Sequence, residues 1–257
     1  MATPPSKQSD AWAFLRGFTF ARIALGHAGG SVPTQALLEF RLAHAKARDA
    51  VYHALDLDRL QQALQNLGLP QIRVTSLANN RTTYLQRPDL GRQLHPDSRR
   101  TLAAATDYTS DYDIVFLIGD GLSAIAIEQH AAALLAATLP ELRQQTLRIG
   151  PIIIAEQARV ALGDEVGEAL RTKLIVVIIG ERPGLSSPDS MGVYLTWAPR
   201  PGRMDAERNC ISNIRPQGLP MTEAAHKLLY LIHQARQYRL SGIQLKDESG
   251  NFLADNK

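Results

Sequence analysis

Apolar residues recur at helical spacing early in the chain and gather into continuous runs later. Leu37, Phe40, Ala43, Ala47 and Val51 share one face of a 3.6-residue period. A long amphipathic helix is therefore expected from Pro33-Thr34, with Thr34 as its cap, to about His53. A second helix covers Leu57 to Leu67, and Gly68 and Pro70 close it. Ahead of them, residues 1–10 read as a loose tail, Ala11 to Ala28 leaves room for a short helix, and Gly26 to Ser31 is a turn. Further on, Asp113 to Ile118, Arg148 to Ala155 and Leu174 to Ile179 are nearly unbroken apolar runs. Such runs belong to strands covered on both faces. Helical patterns follow at Ser123 to Leu139, Gly163 to Leu170 and Thr222 to Leu240, while Gly192 to Trp197 alternates as an edge strand does. The expected architecture is a mostly parallel α/β sheet with helices on both faces, preceded by a helical N-terminal segment. Ligands of such sheets bind beyond the carboxyl ends of the strands. Two glycine-rich loops fall there, Gly119 to Ser123 and Gly180 to Gly184.

Composition narrows the possible partners. Apolar residues make up 45% and charged residues 21% of the 257, ordinary globular usage. The net charge of +3 is spread along the chain rather than gathered on one face, so no nucleic-acid partner is expected. One cysteine, Cys210, excludes an internal disulfide and fits a reducing compartment. The apolar runs are too short to span a bilayer, and the polar start carries no signal peptide. A soluble cytoplasmic protein without membrane contact is expected.

Gly119-Asp120-Gly121-Leu122-Ser123-Ala124 fits G-x-G-x-x-A between a strand and a helix, the context of a dinucleotide loop. Asp120, however, places a carboxylate where a pyrophosphate would lie. A tight turn with Ser123 as helix cap is the simpler reading. The seven histidines are dispersed; His226 and His233 lie a heptad apart without further ligands, so no metal site is assigned. No G-x-S-x-G elbow is present, and no residue is given a catalytic role. Cys210 alone reads as a small buried filler.

Several segments, in order, resemble the small (light) subunit of ethanolamine ammonia-lyase. They are Leu15-Arg16, Thr19, Ala21-Arg22-Ile23, Gly26, Ala28-Gly29 and Thr34 to Leu38. Tyr84-Leu85, Arg87 to Arg92, Gly119 to Ser123, Gly180-Glu181-Arg182-Pro183-Gly184-Leu185, Cys210 to Ile214 and Ser241-Gly242-Ile243 continue the series. His27 stands where an Arg is expected, the N-terminal extension is short, and the tail after Lys246 has no counterpart. The resemblance implies a Rossmann-like, cobalamin-binding domain over 81–257 behind a helical segment over 1–80. It implies adenosylcobalamin held between this chain and a large TIM-barrel subunit, for conversion of ethanolamine to acetaldehyde and ammonia. It places cofactor contacts at Val160, Glu181 and Cys210. It further implies a hetero-oligomer inactive without its large subunit, in the cytoplasm or inside a bacterial microcompartment. His27-Ala28-Gly29-Gly30 satisfies only part of D-x-H-x-x-G, because Leu25 replaces the aspartate. The cobalamin is thus expected base-on, keeping its own dimethylbenzimidazole on cobalt. The alternative is a stand-alone nucleotide-binding α/β enzyme using the Gly119 loop.

Overall fold

The computed structural model describes residues 10–19, 21–105 and 111–252. The expected tail at 1–10 lies outside them but for Asp10. A 3-10 turn at Ala13–Gly17 is followed by helices α1 (Thr34–Tyr52) and α2 (Leu57–Gln65). Then come strand β1 (Gln71–Thr75), helices α3 (Arg81–Gln86) and α4 (Pro96–Ala105), and strand β2 (Tyr112–Gly119). Helix α5 (Ala124–Gln144), β3 (Ile149–Glu156), α6 (Leu162–Ala169) and β4 (Thr172–Gly180) complete the alternating part. Strands β5 (Met191–Trp197) and β6 (Arg208–Ile214) and helix α7 (Met221–Tyr238) close it.

The strands form one six-stranded sheet in the order β1-β3-β2-β4-β5-β6. The first four are parallel, while β5 runs antiparallel to β4, and β6 to β5. The fold is α/β and Rossmann-like, with a mixed sheet. Strand side chains alternate between faces. Ile114, Phe116 and Ile118 pack with α5 and α7 residues such as Leu134, Leu135 and Leu228. Val115 and Leu117 turn to the other layer, with Leu102 of α4 and Leu162 and Val166 of α6. The central strands are apolar throughout because both faces are covered.

Three sequence expectations need correction. The 1–80 segment is not wholly helical: β1 lies within it and pairs in register with β3, Gln71 opposite Ile152. Five residues with an arginine in the middle give too little pattern to announce a strand. Strand β5 is interior, and the edge belongs to β6. Thr34 begins α1 behind Pro33 and makes no cap bond. Helix α1 forms where expected, but its apolar stripe is not covered by the chain's own core: Ala50 is the one buried residue of the helix, and Leu37 and Phe40 on the stripe stand exposed.

Candidate functional site

Three loops leave the carboxyl ends of β2, β3 and β4 side by side and enclose a cavity of about 420 Å³. Its lining includes Tyr84, Arg159, Val160, Glu181, Arg182 and Tyr194. The glycines explain how two of the loops come so close. A Cβ on Gly121, where φ is +57°, would collide with the Gly180 carbonyl, and one on Gly180 with the Ser123 carbonyl. Leu122 N–H donates to Gly180 O at 2.9 Å. Ser123 caps α5, its Oγ accepting from Ala126 N–H at 3.3 Å and donating to Pro188 O at 2.7 Å. The Gly119 loop is therefore packed against β4, and its turn offers no cradle for a pyrophosphate.

Asp120 ties the floor together. Its carboxylate accepts from Gln157 N–H at 3.0 Å and Ala158 N–H at 2.9 Å, and Arg81 Nη1 stands 3.4 Å away. Burial pushes its pKa up to about 6, against the pull of those donors and of Arg81. Tyr84, itself buried, donates its hydroxyl to Ala158 O at 3.0 Å. Burial first, and the Asp120 charge second, raise its pKa, so it stays a neutral donor. Two guanidiniums stand over its ring, Arg159 at 4.3 Å and Arg81 at 4.8 Å from the centroid. Arg159 N–H donates to Gly91 O at 2.8 Å, and a Cβ on Gly91 would press into both Arg159 and Tyr84.

Of the sequence-expected contacts, Val160 and Glu181 line this one cavity. Among the described residues Val160 N–H has no hydrogen-bond partner. Glu181 Oε2 accepts from Ser190 Oγ at 2.6 Å and Asn213 N–H at 3.1 Å, while Oε1 has no partner among the described residues. Glu181 does not pair with Arg182, which is exposed. Cys210 lies one step away: it faces Tyr194 across β5 and β6, and their side chains hydrogen-bond. It is exposed at the sheet edge rather than a buried filler. Protein packed around the sulfur raises its pKa, Glu181 adds to this and the Tyr194 bond opposes it. The thiol is thus not an activated nucleophile. Tyr84, Arg159 and Tyr194 were not singled out from the sequence. They come from three distant segments, and only the fold assembles them.

Among the described residues no three His, Cys, Asp or Glu side chains gather as a metal site, and no helix is long and apolar enough to cross a membrane.

The family described as ethanolamine ammonia-lyase light chain (EutC) matches residues 9–246. An ethanolamine ammonia-lyase small subunit from Xanthomonas campestris pv. campestris is 51% identical over 254 residues, covering 98% of this chain and 93% of that protein. The one from Azotobacter vinelandii is 51% identical over 255 residues, covering 94% of each. That of Pseudomonas aeruginosa is 46% identical over 263 residues, covering 97% of this chain and 96% of the relative. With a family match that takes in the helical segment, the whole sheet and every residue lining the cavity, the chain belongs to the ethanolamine ammonia-lyase light-chain family.

Proposed function

We propose that this chain is the small subunit of an adenosylcobalamin-dependent ethanolamine ammonia-lyase and forms one wall of the cofactor site. The observation that carries this is the cavity of about 420 Å³ lined by Val160 and Glu181. Pockets of roughly 300–1,000 Å³ take a drug-sized ligand. A corrinoid is larger, so only part of it fits here, and its remainder requires a second protein. The lining suits a macrocycle fringed with neutral amides. Among the described residues Glu181 Oε1 is a free acceptor and Val160 N–H a free donor, and Tyr194 carries the contact toward Cys210. Residues 81–257 contain all of these groups. No histidine is among the residues lining the cavity, which supports a base-on cofactor.

When bound, the cofactor supplies a radical by homolysis of its cobalt–carbon bond, converting ethanolamine to acetaldehyde and ammonia. This chain's part is to bind, orient and exclude water. The large subunit holds the substrate and closes the open side, in the cytoplasm or within a bacterial microcompartment. The chain alone is expected to release no acetaldehyde.

Titration of the complex co-expressed with the large subunit tests this reading. Glu181→Gln keeps an oxygen for Ser190 and Asn213 but places a donor where the carboxylate accepted. A lost charged hydrogen bond costs about 1.5–3 kcal/mol. The variant should bind adenosylcobalamin roughly ten- to hundredfold more weakly at an unchanged melting temperature. A wild-type complex that stays colourless sinks the proposal. Equal affinities within twofold would move the corrin away from Glu181.

A further inference from the structure

Resting on that reading, we infer that Arg159 recognises the phosphodiester of the cofactor's nucleotide loop. The guanidinium lines the cavity, yet its polar groups are largely idle. Among the described residues Nη2 reaches only Tyr84 O, at 3.4 Å, and the buried Nε has no partner. Arg81 shares the Tyr84 ring but has Asp120 as a counter-ion, and the buried Arg208 has Asp164. Arg159 has no carboxylate within ion-pair distance among the described residues. A part-buried cation without a counter-ion is costly and calls for an anion from outside the chain.

The surroundings fix where that charge points. Asp120 holds the preceding backbone at Gln157 and Ala158, the Tyr84 hydroxyl holds Ala158 O, and Gly91 O takes the Arg159 N–H. The guanidinium carbon lies 4.3 Å from the Tyr84 ring centroid, a contact that helps hold the group in place. A guanidinium presents paired N–H groups in the fork that suits phosphate oxygens. Charge matches as well. Of the lining residues Arg159 and Arg182 are positive and Glu181 is negative, leaving one positive charge. The corrin's side chains are neutral amides, and the single fixed anion of cobalamin is its phosphodiester.

The experiment compares cobalamin with cobinamide, the same corrin without nucleotide or phosphate, on the complex with the large subunit. Arg159→Gln and Arg159→Met, which keep the aliphatic stem against Tyr84, should weaken cobalamin binding roughly ten- to hundredfold. Cobinamide affinity should stay within about threefold, so the preference for cobalamin collapses. Equal losses for both ligands would show a corrin contact or a packing role and overturn the inference. Unchanged cobalamin affinity would overturn it too. If neither variant assembles at the native melting temperature, Arg159 is a structural residue and the inference falls. A wild-type complex that binds neither corrinoid is a different result, because it removes the cofactor reading itself.

Discussion

Asp120 gives up its hydration to join three segments: the β2 loop that carries it, the β3 loop at Gln157 and Ala158, and Arg81 of α3. The charged and titratable groups facing it are Arg81 and Tyr84, both from α3. In the folded chain its pKa rises from the ordinary 3.8 to about 6, so the fold binds this proton more tightly than the unfolded chain does. The associated stability is fully present below about pH 3.8 and is lost as the pH rises through about 6. Asp120→Asn removes the titration. Urea unfolding of both proteins should therefore show the wild type gaining on the variant as the pH falls from 7 to 4. A difference that stays flat across that range would mean the carboxyl is not raised. No periodicity in the sequence points to this. The glycine pattern located the loop, and the awkward carboxylate argued against a pyrophosphate, but its partners lie about forty positions away on either side in the chain and meet only in the fold.

Among the elements, the three legible strands are those with protein on both faces. Continuous runs in β2, β3 and β4 state their burial outright. The two edges are silent. In β6 only Arg208, Ile211 and Ile214 are buried, and Arg208 earns its place by a two-point contact with Asp164 of α6, at 2.7 and 2.6 Å. An arginine there reads as solvated until its partner is known. Strand β5 was misplaced for the same reason, since the strand that covers its flank leaves no mark on its own sequence. Of the site, Val160 and Glu181 were legible only through family resemblance. The glycine loops were legible from chemistry, because positive φ and close approach both demand glycine. Two substitutions separate these demands. Gly202, with φ +92°, has open space at its Cβ, so Gly202→Ala should cost only the backbone strain, about 1–2 kcal/mol. Gly121→Ala adds a collision with the Gly180 carbonyl and should cost at least about 2 kcal/mol more. Equal melting temperatures for the two variants would show that the β2 and β4 loops are free to separate.

At the scale of the molecule, apolar surface is concentrated in the first fifty residues. Trp12, Phe14, Phe18, Leu38 and Leu42 are each more than half exposed. This segment and the end of α1 are tied to the rest of the chain: Arg22 reaches Leu185 O at 3.5 Å, and Arg81 Nε donates to Val51 O at 2.6 Å. Large apolar side chains left exposed in one segment suit a contact with another protein. On the proposed function that protein is the large subunit. Leu38→Ser with Leu42→Ser should change the isolated chain's stability by no more than about 0.5 kcal/mol, yet reduce co-purification with the large subunit. Unimpaired co-purification would place the contact elsewhere. The strand order carries one more consequence, for synthesis. Strand β3 lies between β1 and β2, which do not touch each other. A ribosome must deliver the chain beyond Ile149 before any described strand has a neighbour. Translation is vectorial and domains close as units. The first half of the chain therefore emerges before its sheet can begin to close, and the apolar run of β2 waits unpaired until β3 arrives.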